Sequence, residues 1–252
     1  TNGVSFEKFN STEIQNFKDY LDKGAKTKSH TELSQNSKHS YFNKIKAACK
    51  QAHRDQITPT NSAFHVQGFK QGETQREYLT LDEVKLLANT ECQSELLKKA
   101  FLFSCLTGMR WSDINKLTWK EIQHSKEQNN YIRFTQKKTK GTETLPITNQ
   151  ALSYLGKRNI LGERVFKGLK YSSGNNIKLK QWIMKAGITK IITFHCARHT
   201  NATLHLSLGT DLYTISKMLG HREIRTTQVY ANIIDKSKVE AQVQKIKQQK
   251  AD

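Results

Sequence analysis

The chain has 252 residues, with 41 Lys and Arg against 22 Asp and Glu, a formal charge of +19. That length fills one large domain or two ordinary ones, and that charge repels copies of itself while attracting polyanions, nucleic acid foremost. Nothing approaches a run of about 18 apolar residues, the polar N-terminus lacks a signal-peptide pattern, and Cys49, Cys92, Cys105 and Cys196 are scattered without a CxxC pair, so the expectation is a cytoplasmic protein with reduced thiols rather than a membrane span, disulfide scaffold or zinc ribbon.

Residues 1–67 are expected to form a small helical unit. Ser11 and Thr12 precede Ile14, Phe17, Tyr20 and Leu21, which fall on one helical face ending at Gly24. A polar loop over 26–38 follows. Tyr41, Ile45, Ala48 and Ala52 then recur as the stripe of an amphipathic helix that Pro59 and Asn61 close. Residues 68–77, GFKQGETQRE, have two glycines and no apolar period, which reads as a linker. Up to residue 75 the chain holds 11 Lys and Arg against 7 Asp and Glu, so most of the charge excess lies beyond.

The second domain, 78–236, opens with a capping box, Thr80-Leu-Asp-Glu83, and Val84, Leu87 and Ala88 continue that helix. Leu96, Leu97, Ala100, Phe101, Ser104 and Cys105 predict a core helix running into Thr107-Gly108-Met109-Arg110. Alone, Arg110 is readable as a cation favoured by the dipole at a helix C-terminus. Tyr131–Thr135 and Thr142–Ile147 alternate as paired strands, with Glu121–Gln123 as a third, so the fold class is mainly α with a small antiparallel β-sheet. The turn between them carries Lys137, Lys138 and Lys140, a pattern that fits a solvated edge or a tip able to reach into a DNA groove.

A short helix follows at Ala151–Leu155, and Ser172–Asn176 reads as a loop. Leu179, Trp182, Ile183 and Ala186 predict a helix stopped by Gly187. Thr193 is the expected cap of a helix carrying His195, Arg198, His199 and Leu204. Thr210 is the expected cap of the next, with Leu212, Ile215, Met218 and Leu219 inward and Gly220 as its stop. In residues 237–252, Val239, Val243 and Ile246 make a thin apolar stripe suited to docking on this chain or on a neighbour.

His195 and Arg198 project from one helical face, His221 follows the glycine that ends the next helix, and Tyr230 lies nine residues further on. Arginine presents a planar fork to two phosphate oxygens, so Arg110 and Arg198 can clamp one phosphate from two sides. Imidazoles complete such contacts or move protons, and a tyrosine becomes a nucleophile where positive charge stabilises its phenolate. Metal binding competes: His195 and His199 have the spacing of H-E-x-x-H, but Cys196 follows the first histidine and the glutamate base is missing.

The segments TGMRWSD (107–113), FHCARHT (194–200), LGHREIRTTQVY (219–230) and the lysine hairpin resemble, in order, the motifs of the tyrosine recombinases, or phage-type integrases, particularly those of conjugative transposons and related bacterial mobile elements. The resemblance implies a helical core-binding domain and an α+β catalytic domain forming a C-shaped clamp around duplex DNA. It implies Arg110 and Arg198 as the phosphate clamp, His195 and His221 as the motif histidines, and Tyr230 as the nucleophile. Lys138 best matches the proton donor to the departing 5′ hydroxyl, with Lys137 and Lys140 as neighbours in the same turn. Asp113 matches an acidic position that orients the site, and Lys137, Lys140, Arg222 and Arg225 are candidate DNA contacts. The implied reaction passes through a 3′-phosphotyrosine and requires neither ATP nor a metal cofactor.

The resemblance further implies a homotetramer on DNA, linked through the C-terminal tail, with accessory DNA-bending or excision factors as partners. Mobile-element members often carry an arm-binding domain ahead of these two, and a start at Thr1 fits its loss. A type IB topoisomerase shares the tyrosine chemistry but relaxes DNA without joining two duplexes. A non-catalytic DNA-binding accessory protein would not need every catalytic residue type, and a basic RNA-binding helical module explains none of the spacings.

Overall fold

A computed structural model of the chain describes residues 9–72, 76–127, 129–138, 141–231 and 233. Lys140 and the tail stripe Val239, Val243 and Ile246 lie outside the described residues. The chain divides into two compact units, Thr1–Gln75 and Arg76–Asp252.

In the first unit, α1 (Ser11–Asp19) tightens into a π-helical turn, Tyr20–Gly24, and α2 spans Gln35–Arg54. The cap of α1 is Asn10, whose side chain accepts from the N–H groups of Thr12 and Glu13, rather than Ser11 or Thr12. Ser34 caps α2 by accepting from Ser37 N–H, so the expected polar loop ends four residues early. The buried face of α2 is also offset from the predicted stripe. Phe42 and Cys49 are buried with Ile45 beside them, while Tyr41 is exposed, as is Tyr20 at the start of the π-helical turn. A one-residue shift turns a helical face by about 100°, and the wholly apolar Phe42 ring takes the inward place while Tyr41, with its hydroxyl, stays at the surface. Ile14, Leu21, Ala63 and Val66 complete this core.

The second unit is built around α4 (Glu95–Thr107), buried on nearly every side, with α3 (Leu81–Asn89) ahead of it. The Thr80–Glu83 capping box forms with both reciprocal hydrogen bonds. After α4, Gly108 adopts φ +66°, a left-handed cap that aims the next turn back across the molecule. Arg110 then stands at the N-terminal end of the short α5 (Trp111–Ile114), not as a helix C-terminal cation.

Three strands follow, β1 (Ile122–Ser125), β2 (Asn129–Thr135) and β3 (Thr142–Pro146), antiparallel in the order β1-β2-β3. In β2 the alternation buries Ile132 and Phe134. Helix α6 (Asn149–Ser153) leads to α7 (Ser173–Lys185). The expected loop at Ser172–Asn176 is instead the first turn of α7. The Ser172 side chain caps it by accepting from Asn175 N–H, and this offsets the weak helix propensity of SGNN.

Helix α8 (Cys196–Ser207) packs on α4 and is followed by α9 (Leu212–Met218) and a last helical run over 225–231. Neither threonine cap forms. Residue His195 stands at the start of α8 without a side-chain cap, and Thr193 instead opens a tight turn whose carbonyl accepts from Cys196 N–H at 3.0 Å. Asp211, not Thr210, caps α9 by accepting from Thr214 N–H at 2.9 Å. Asn201 of α8 donates to the Cys105 carbonyl at 3.0 Å, and Thr200 accepts from Leu79 N–H at 2.9 Å, so polar bonds fix the register of α8 in the core. No helix among the described residues is long and apolar enough to cross a membrane.

Candidate active site

The elements of the second unit bring Arg110, His195, Arg198, His221 and Tyr230 into one electrostatic neighbourhood, in which the charges of Arg110 and Arg198 act on both His221 and Tyr230. Arg198 is held most firmly. Only 4% exposed, it donates to the Gly108 carbonyl at 2.7 Å and to the Leu219 carbonyl, tying α8 to the ends of α4 and α9. Burial, then the charge of Arg110, lowers its pKa to about 9, so it remains a cation at neutral pH. Its fork is fixed by carbonyls before any ligand arrives, and this preorganises the positive charge.

Arg110 donates from Nη1 to Gln136 Oε1 at 2.6 Å. Gln136 is buried at the end of β2, immediately before the lysine turn. Gly220, at φ +59°, keeps that place open: a Cβ there would collide with Gln136 Nε2 and lie 2.8 Å from Glu143 Oε1. Asp113, 1% exposed, accepts from the backbone N–H of Lys137 at 2.8 Å, so it grips the hairpin, and Lys116 Nζ lies 4.0 Å from it. Lys137 and Lys138 are exposed, and the Lys138 charge is among those acting on His195. Arg222 and Arg225 are exposed on the segment between His221 and Tyr230.

Three histidines stand at the centre, all shifted toward the neutral form. Burial first, then Arg198, Arg76, Arg110 and Lys138, lowers the pKa of His195. Burial, followed by Arg198 and Arg110, takes His221 to about 3, and its Nδ1 lies 2.7 Å from Thr227 Oγ1. His199 also falls to about 3 through burial and neighbouring positive groups; its ring meets that of His195 edge to face at 4.7 Å.

Tyr230 is 1% exposed, with Ala202, Ile215 and Leu219 around it. Its hydroxyl lies 2.9 Å from His199 Nδ1, and the Arg76 guanidinium sits over its ring at 5.7 Å. Burial raises the phenol pKa, while Arg198, Arg76 and Arg110 oppose that shift by favouring the phenolate.

The sequence-predicted residues Arg110, His195, Arg198, His221 and Tyr230 thus converge, with Lys138 close enough to act on His195 and Asp113 behind the hairpin. Sequence reasoning missed Gln136, Arg76 and the place of His199 against Tyr230. The position of Gln136 at the inward end of an alternating strand and the four-residue separation of His195 and His199 were the available signals. Arg76 fell in the presumed linker and gave none. Among the described residues there is no group of three or more His, Cys, Asp or Glu arranged to hold a metal ion.

Such a centre has the chemistry to hold a phosphate between two arginines, with a tyrosine hydroxyl beside it. The chain belongs to the phage integrase family, whose model matches residues 77–237, and the phage integrase SAM-like domain matches residues 1–66. It is 30% identical over 200 residues to the tyrosine recombinase XerD of Oceanobacillus iheyensis, covering 71% of this chain and 65% of that protein. Across three such relatives the chain spans 54% to 68% of their length. The fold is similar to that of a lambda integrase dimer bound to a COC′ core site, with TM-score 0.69 and 21% identity over 91% of this chain and 82% of that one. It is also similar to that of the Tn1549 transposon integrase in complex with circular intermediate DNA, with TM-score 0.64 and 18% identity over 88% of this chain and 80% of that one.

Proposed function

We propose that the protein is a site-specific DNA recombinase that cleaves and rejoins duplex DNA through a 3′-phosphotyrosine, in the integration and excision of a mobile element. The observation that carries this reading is the convergence of a carbonyl-fixed Arg198, a glutamine-held Arg110 and His221 on the buried Tyr230. Neither a topoisomerase-like relaxing role nor a non-catalytic DNA-binding role is favoured by any observation in the structure.

In this reading Arg110 and Arg198 bind the non-bridging oxygens of the scissile phosphate and meet the charge that develops there. Preorganised donors of this kind are worth about 10²–10³ in rate each. Tyr230 Oη attacks phosphorus, the Oη–P bond forms and the bond to the 5′ oxygen breaks. Lys138 gives that oxygen its proton. Asp113 positions the hairpin through Lys137 N–H, and His195 and His221 complete the phosphate's surroundings. The 5′ hydroxyl of a second strand then reverses the step, so bond energy is conserved without ATP. Lys137, Arg222 and Arg225 contact the DNA backbone, residues 1–67 form the core-binding domain, 68–77 the linker and 78–236 the catalytic domain. Strand exchange between two duplexes calls for a homotetramer, and the setting is bacterial cytoplasmic DNA. The similar structures, a lambda integrase dimer on a core site and a transposon integrase on circular intermediate DNA, support duplex DNA as partner and assembly upon it.

The test is incubation with nicked duplexes carrying the parent element's attachment site. The expected product is a covalent protein–DNA adduct that survives denaturant, forms in EDTA and is absent with Tyr230→Phe. An adduct that persists with Tyr230→Phe overturns the assignment.

A further inference from the structure

We propose that His199 is a catalytic residue, the base that takes the phenolic proton of Tyr230 as the phosphotyrosine forms. The inference rests on the recombinase reading above and assigns a role within that site to a residue outside the predicted set. Of the three central histidines, His221 turns Nδ1 to Thr227 Oγ1 and His195 presents its ring to His199. The nitrogen on the phenol is His199 Nδ1, at 2.9 Å. That is hydrogen-bond distance to the proton that must leave, the first requirement of a general base.

The surroundings fit the role. His199 is 7% exposed, so water cannot readily take its place at the phenol. Burial and the charges of Arg76 and Arg198 keep the imidazole neutral; in the tautomer with hydrogen on Nε2, Nδ1 then carries a free lone pair facing the hydroxyl. A bound phosphodiester offsets the same cations, raising the basicity of the ring when the proton has to move. As Oη bonds to phosphorus, the phenolic proton passes to Nδ1 and gives an imidazolium. The 5′ oxygen leaves with a proton from Lys138. In the reverse step Lys138 recovers a proton from the incoming 5′ hydroxyl, and the His199 imidazolium returns its proton to Tyr230.

The test measures single-turnover adduct formation on nicked DNA from pH 6 to 9.5 with the full chain, His199→Phe and His199→Asn. Asparagine can still hydrogen-bond the phenol but cannot accept its proton. Both variants are expected to cleave about 10²-fold or more slowly at neutral pH. Their deficit should narrow as pH rises, because hydroxide then ionises the phenol. A substrate with sulfur as the bridging 5′ atom, whose thiolate leaves without a proton, should rescue Lys138→Ala and leave the His199 variants slow. Thermal melting and DNA binding confirm that the variants are folded. Wild-type rates in either variant, a deficit that does not change with pH, or rescue by the 5′ sulfur overturns the inference. Absence of a wild-type adduct, or its persistence with Tyr230→Phe, overturns instead the reading on which it rests.

Discussion

Gly220 shows how a residue without a functional group can govern the proposed catalytic centre. At φ +59° an alanine costs about 1–2 kcal/mol in backbone strain, and its Cβ would displace the Gln136 amide that holds Arg110. Gly220→Ala is therefore expected to lower stability by more than that strain, because the buried Gln136 must move as well, and to reduce DNA cleavage further still. Gly209→Ala is the control: φ is +87°, but nothing lies within 4 Å of a Cβ there, so it should carry the backbone cost with near-normal cleavage. Chemical denaturation and adduct-formation rates on the two variants check both halves. The convergence of Arg198, His221 and Tyr230 was legible in the sequence because their chemistry is strong and their spacings are those of a motif. Gln136 and Arg76 were not. Each acts only through what the fold brings beside it, and neither is unusual at its place in the chain.

At the scale of elements, the hairpin that carries Lys138 is gripped from outside. Asp113 of α5 accepts from Lys137 N–H, and Lys116 donates to the Thr135 carbonyl, fixing the end of β2 just before the turn. Removing the Asp113 carboxylate leaves the Lys137 N–H without that partner, at a cost of about 1–3 kcal/mol where water cannot substitute. Asp113→Ala should speed hydrogen exchange at the Lys137 amide while the core helices stay protected. It should also slow cleavage in a way that a 5′-bridging sulfur substrate relieves, since the loss falls on the placement of Lys138. Equal exchange in both proteins would count against the grip. Element types followed from periodicity, and the Thr80–Glu83 box formed as its spacing required. Element starts were less legible: Asp211 and Asn10 cap where Thr210 and Ser11 were expected, and Ser172 caps a helix whose first turn was expected to be loop. A cap is chosen by which residue takes an extended backbone at the helix edge, and tertiary packing decides that.

For the whole molecule the governing quantity is charge. Of the 41 basic residues, 30 lie beyond residue 75 against 15 acidic ones there, so the second unit carries most of the polyanion attraction. If that charge binds DNA phosphates, each contact releases condensed counterions, and the slope of log affinity against log salt falls by about 0.9 per contact. Replacing Lys137, Arg222 and Arg225 together with glutamine should flatten the slope by about 2.7, three contacts' worth, with little change in sequence preference, because phosphate contacts position rather than specify. Replacing three exposed lysines of the first unit, Lys23, Lys28 and Lys44, tests the contrast: the slope flattens there only by as many phosphate contacts as those lysines make. Fluorescence anisotropy titrations of one duplex from low to physiological salt supply both slopes. An unchanged slope in the first triple variant would remove those three residues from the DNA interface, whatever the catalytic centre does.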